Sequence, residues 1–290
     1  MPSEKELKVI RKIQDLQASM EAGMDKALPK VFSELSNKVI EITNKLSLDP
    51  KDRVKTLREM IKLKQDIADT IIENPTYQKE VGKITDGFNE LSSLSNEYIG
   101  LILDSPFVPK PALYEAILAA NIDVTTSNLL GAGIRDNFGN AITEVLKANV
   151  SGVGSRTELQ KTLAKFIQGT PEELPFLQRY IKQTTNDAVM GFNREYIQTI
   201  SDDLGFNYYR YQGTVIEDSR PFCKARTGRV YTKDEVKKWA SLGNWDGRMA
   251  GTNSVTIFTN AGGYNCRHTI FPITDAAYEL AKSEGKAGMR

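Results

Sequence analysis

Apolar side chains recur through residues 5–104 in alternating steps of four and three, and that spacing restricts the region to long helices that each bury one stripe. The first stripe runs Val9, Ile13, Leu16 and Met20, then Leu28, Phe32, Leu35, Val39, Ile42 and Leu46. Gly23 and Pro29 fall within it and mark where the helix bends or breaks into a hairpin, since glycine loosens the chain and proline removes a backbone donor. After a stop at Leu48-Asp49-Pro50 the pattern resumes at Val54, Leu57, Ile61, Ala68 and Ile71, and again at Val81, Ile84, Phe88, Leu91, Tyr98 and Ile102. A stripe left in water aggregates. Residues 1–104 are therefore expected to form a helical bundle or coiled-coil hairpins, closed on themselves or holding part of the stripe for another subunit.

Pro106, Pro109 and Pro111 keep the backbone extended over residues 105–111, the expected linker and domain boundary. Residues 112–204 read as a second helical region. Helices are expected over 112–120 and 134–148, with Gly131, Gly133 and Gly139 loosening the middle. Ser155 and Glu158 have the spacing of a capping box that opens a helix through Phe166, and Thr170, Pro171 and Glu173 are placed to open the next. A long helix over 177–204 follows, ended by Gly205. At Phe206 the apolar period changes to two. Strands are expected over 206–212, continuing through 214–216 past Gly213, and over 229–231, 255–258 and 269–273, with a helix carrying Val236 and Trp239 capped by Thr232 and Glu235. Residues 205–275 thus form a small α+β domain, and 276–290 a tail that is helical at first and frays through Gly285 and Gly288. The fold class is mainly α.

With 38 basic side chains against 37 acidic ones, the net charge of +1 excludes a wholesale polyanion binder while leaving room for a local basic patch. No apolar run approaches the roughly 18 residues that span a bilayer. The first residues also lack the pattern of a signal peptide, so a cytoplasmic product is expected. In that reducing setting the 2 cysteines read as thiols or metal ligands in preference to a disulfide.

Both cysteines and the single histidine fall in a short C-terminal stretch. It runs Glu217-Asp218-Ser219-Arg220-Pro221-Phe222-Cys223, continues through Thr227-Gly228-Arg229-Val230-Tyr231, and closes with Gly262-Gly263-Tyr264-Asn265-Cys266-Arg267-His268 ahead of Pro272. This order, with a Trp-bearing helix between, resembles the C-terminal domain of tailed-phage minor head proteins, the phage Mu F-like or head morphogenesis family. The resemblance extends over roughly residues 112–275 and is strongest from Phe206 onward. Many members carry histidine where this chain has Cys223, and Cys-Arg-Cys where it has Cys-Arg-His. The resemblance implies a virion structural protein, made in the host cytoplasm and carried in the phage head. Its expected role is in head morphogenesis at or near the portal, by binding and not by catalysis. The implied partners are the portal or major capsid protein and the packaged DNA, with the helical region available for homo-oligomer contacts.

Read from the residues themselves, Cys223, Cys266 and His268 read first as plain buried thiols beside a hydrogen-bonded histidine, with a structural zinc site, Asp218 as a conceivable fourth ligand, and then a disulfide as the alternatives. Asp218, Arg220 and Arg267 read as a structural clamp in which a turn carboxylate is bridged by guanidinium groups. The glycines of Gly262-Gly263 allow a positive-φ turn before the last strand. Lys224, Arg226, Arg229, Lys237, Lys238 and Arg248, interleaved with Tyr231, Trp239 and Trp245, are candidate contacts to DNA or an acidic partner, or simply a solvated face. The rival readings are a zinc-stabilised nucleic-acid-binding module and an enzyme with His268 as general base. The enzyme reading lacks a second histidine, a Gly-x-Ser-x-Gly elbow and a phosphate-cradling loop.

Overall fold

A computed structural model describes residues 3–45, 53–151, 155–170 and 173–288. The chain is predominantly helical with one small antiparallel sheet near the C-terminus. Its elements are α1 (Glu4–Lys45), α2 (Arg53–Ile72), α3 (Pro75–Leu103), α4 (Pro111–Leu130), a π-helical turn at Ile134–Phe138, α5 (Gly139–Ser151), α6 (Arg156–Gln168) and α7 (Phe176–Asp203). Then follow β1 (Tyr208–Gly213), α8 (Pro221–Lys224), β2 (Val230–Thr232), α9 (Lys233–Trp239), α10 (Ile257–Asn260), β3 (His268–Ile273) and α11 (Asp275–Ser283).

The four-and-three spacing gives helices as expected, but α1 runs unbroken through both Gly23 and Pro29. Most of the expected stripe is buried, including Ile13, Leu28, Leu35, Phe88 and Leu91. Ile61 departs from it at 63% exposed. Among the described side chains of α2, the expected Ala68 and Ile71 are buried, together with Leu63 and Ile67. Leu46, the stop at 48–50 and the side chains of Val54 and Leu57 lie outside the described residues.

The domain division differs from the expected one. Two compact units form, the first from three stretches, Met1–Met20, Thr85–Ile122 and Asn186–Arg290, and the second from two, Glu21–Ile84 and Asp123–Thr185. The prolines of 105–111 end one helix and start another inside the first unit, so they break a helix without separating domains. Physically, four long helices (α1, α3, α4 and α7) each contribute residues to both units, which a boundary placed between helices cannot anticipate.

In the second unit an aromatic row joins Phe138, Phe166 and Phe176, with ring centroids 5.4 and 6.0 Å apart. The Tyr77 hydroxyl donates to the Leu129 carbonyl at 2.9 Å, satisfying a buried phenol. Ser155 and Glu158 form the expected reciprocal capping box on α6. Thr170 Oγ1 accepts from the Glu173 N–H at 3.1 Å, and among the described residues Glu173 itself is not helical. The helix begins only at Phe176, beyond Pro175, which restricts the residue before it to extended conformations. Pro171 lies outside the described residues.

The first unit holds the sheet, in order β2-β1-β3. Tyr211 lies opposite Ile270 and Gly213 opposite His268 in the β1–β3 ladder. Strand side chains alternate faces. Tyr209 and Tyr211 thus join Phe222, Trp239, Phe258 and both cysteines in one core, while Tyr208 joins Val230, Ile273 and Tyr278 in another. Helices α3 and α7 pack together through Phe88 and Phe192, stacked at 4.5 Å, and Tyr98 on α3 donates to the Pro272 carbonyl of β3 at 2.7 Å.

Three local expectations change in this unit. Residues 255–258 are not a strand: Asn253 Oδ1 accepts from the N–H groups of Val255 and Thr256 at 2.8 and 3.1 Å, which turns the chain into the short helix α10. Residues 214–216 leave the sheet at Gly213 and are exposed. The tail does not fray at Gly285–Gly288. It turns back at these two positive-φ glycines, Val230 N–H donates to the Lys286 carbonyl at 3.0 Å, and Ala287 forms a parallel bridge that covers the open edge of β2.

Candidate metal centre

Each of the three sulfur and imidazole side chains arrives on a different device. Pro221 at the first position of α8 fixes the helical turn that presents Cys223. Cys266 ends a tight turn in which Gly263 (φ 98°) and Asn265 (φ 55°) adopt left-handed conformations and the Cys266 N–H donates to the Gly263 carbonyl at 3.2 Å. His268 opens β3, and its ring stacks parallel on that of Tyr211 at 5.0 Å, the diagonal neighbour set by the register. The partner directly opposite, Gly213, leaves the imidazole room: a Cβ there would come within 2.7 Å of it.

The result is a buried group that could hold a metal ion, with the ligand atoms of Cys223, Cys266 and His268 all within 4.8 Å of one another. The two thiols are free, with Sγ atoms 3.9 Å apart, and His268 Nδ1 lies 3.8 Å from Cys266 Sγ. In a tetrahedral zinc site two sulfurs stand about 3.8 Å apart and a sulfur and an imidazole nitrogen about 3.6 Å, so the Sγ–Sγ and Cys266–His268 separations are close to those of zinc ligands, while the three atoms together spread over up to 4.8 Å. Gly262 supplies a second indication. A Cβ there would lie 2.5 Å from Cys223 Sγ, 2.7 Å from Cys266 Sγ and 2.9 Å from the Tyr211 hydroxyl oxygen, so only glycine leaves the space between them clear. Gly262 has a steric role and Gly263 the conformational one that the sequence suggests.

Electrostatics favour an anionic sulfur here. Cys266 is held well below the ordinary thiol range by the hydrogen bond with Cys223, and further by Arg194 and His268. Cys223, sharing its proton with Cys266 in a buried site, is pushed up. Burial likewise raises the Tyr211 phenol, whose hydroxyl lies 3.3 and 3.5 Å from the two sulfurs. His268 Nε2, buried, has no hydrogen-bond partner among the described residues.

The expected clamp is not formed by Asp218, Arg220 and Arg267. Asp218 and Arg267 are exposed, and Arg220 Nε pairs instead with the solvent-exposed Asp246 at 3.7 Å. Asp218 therefore also falls outside the metal-ligand group. The turn around 217–219 is short and polar, so it has no core to draw the carboxylate inward.

The clamp that exists comes from α7. Arg194, 2% exposed, donates to the His268 carbonyl at 2.8 Å, to the Thr259 carbonyl at 3.3 Å and to the Cys266 carbonyl. Asp187, two turns earlier, accepts from the Asn265 N–H at 2.9 Å. A signal for Arg194 was present: it shares a helix face with Met190, Ile197 and Ser201, so it is a charge at a buried phase. Tyr211 offered no such sign beyond its place in a run of aromatic strand residues.

Most of the candidate DNA contacts serve the fold. Arg226 is buried, donates to the Phe222 carbonyl at 2.8 Å and lies 3.7 Å over the Phe222 ring. Arg229 fastens the tail by donating to the carbonyls of Ala287 and Gly288. Arg248 donates to the carbonyls of Ala240, Gly243 and Thr252 at 2.6–2.8 Å. Lys224 donates to the Glu217 carbonyl at 2.8 Å, and Lys237 is 3.9 Å from Asp234. Lys238 is exposed. Guanidinium groups that donate to backbone carbonyls have fewer N–H groups left to offer a phosphate.

Compared with family models, with curated proteins and with solved structures, the chain matches none.

Proposed function

We propose that this protein is a structural component of a tailed-phage head, a minor head protein that binds at or near the portal during head morphogenesis, and that its C-terminal module is locked by a structural zinc ion. The observation that carries the reading is the convergence of the motif residues. Cys223, Cys266 and His268, which lie in the two motif segments at the ends of the family-like stretch, meet in the buried centre of the sheet-bearing unit. A cysteine and histidine used as nucleophile and base must meet a substrate, whereas these are 2–3% exposed and enclosed by Tyr211, Phe222, Trp239 and Trp245. Two soft thiolates and an imidazole suit zinc, which would supply cross-linking between α8, the Gly263–Cys266 turn and β3, and no chemistry of turnover. The long helices supply the surface through which such a protein docks.

The test is co-expression with the portal and capsid proteins of the same genome, followed by sedimentation of assembled particles. The chain should travel with particles in low copy number. A chain that stays wholly at the top of the gradient rejects the head-protein reading. Zinc is tested separately by metal analysis of the purified full chain, with one equivalent expected and its loss expected in Cys266→Ser.

A further inference from the structure

Three protein ligands leave a tetrahedral ion one corner short, and Asp218, the carboxylate nearest in sequence, is exposed in its turn. We propose that the phenol oxygen of Tyr211 fills that corner, closing the centre with two cysteines, one histidine and one tyrosine; this rests on the zinc reading above.

The geometry points to this oxygen in three ways. Tyr211 Oη lies 3.3 Å from Cys223 Sγ and 3.5 Å from Cys266 Sγ, and a sulfur and an oxygen bound to one tetrahedral zinc stand about 3.5 Å apart. The phenol is fully buried, and its only hydrogen-bond partners among the described residues are these two sulfurs. Gly262 approaches all three atoms so closely that even a Cβ is excluded.

Charge gives an independent argument. Arg194 and Arg226 are buried, and neither has a carboxylate partner among the described residues. A buried cation needs a nearby anion. Two thiolates and a phenolate around a divalent ion carry one net negative charge, which these guanidinium groups can balance; on binding, the sulfur and phenol protons pass to solvent.

The test titrates zinc into the full chain purified with chelator under reducing conditions and follows the near-ultraviolet difference spectrum of tyrosinate. One tyrosinate per zinc is expected, absent in Tyr211→Phe and retained in Tyr208→Phe, with zinc affinity at least ten-fold weaker in Tyr211→Phe. The parent spectrum needs no variant and so stands even if Tyr211→Phe folds poorly. Zinc bound at one equivalent with no tyrosinate signal overturns the assignment and leaves the metal site intact. A parent chain that binds no zinc overturns both.

Discussion

Replacing Arg194 by methionine keeps an unbranched apolar stem and removes the guanidinium that holds the Cys266–His268 segment to α7. The buried carbonyls of Cys266 and His268 and the part-buried one of Thr259 lose a charged donor. An orphaned buried acceptor costs about 1–3 kcal/mol. A carbonyl has two lone pairs and the variant no longer buries a charge, so the low end of that range applies to each, or about 3 kcal/mol in all. Both tryptophans of the chain, Trp239 and Trp245, belong to or pack on the same core, so their fluorescence reports on this module alone. Urea unfolding of the metal-free chain should shift to a lower midpoint at unchanged slope. Arg267→Met, which removes an exposed guanidinium next to the same turn, should cost less than about 1 kcal/mol. If Arg194→Met loses under about 1 kcal/mol, or if Arg267→Met proves the costlier change, the clamp has been assigned to the wrong arginine.

Gly262→Ala forces a methyl group between two sulfurs and the Tyr211 oxygen; a destabilisation of about 1–3 kcal/mol with weakened zinc uptake is expected, and wild-type zinc binding would contradict the cradle. Asp218→Ala, at an exposed turn position, should stay within about 0.5 kcal/mol of the parent in thermal unfolding. Alkali should unfold the first unit between about pH 10 and 12: burial raises Tyr196 and Tyr231 from 10.0 to about 12, so the folded phenols hold protons that the unfolded ones have already lost. Their contribution is therefore complete below pH 10 and disappears as pH rises through 12; a pH titration by circular dichroism showing no loss across that window would refute it.

Local periodicity and local capping were legible because they depend on neighbours in sequence. The four-and-three spacing predicts α1 and α3, and the Ser155 and Thr232 capping boxes form with both reciprocal bonds. The concentration of Cys223, Cys266 and His268 in the C-terminal stretch likewise pointed to the buried group that they form. Residues 255–258 misled because β-branched residues suit a strand only where an edge is free to pair, and Asn253 satisfies their backbone locally instead.

What the chain's sequence determined by itself was therefore its helices, its change of period at Phe206 and the identity of its thiols and imidazole. The tertiary structure decided which charges go inside. Asp218 and Arg267 looked like a clamp because they adjoin the cysteines, but adjacency along the chain does not bury a side chain. Arg194 lies 72 residues from Cys266 and still reaches its carbonyl, because α7 packs against the turn and brings one guanidinium to three backbone acceptors. The place of Tyr211 beside both sulfurs depends in the same way on the β1–β3 register, which is a long-range pairing that no local pattern specifies.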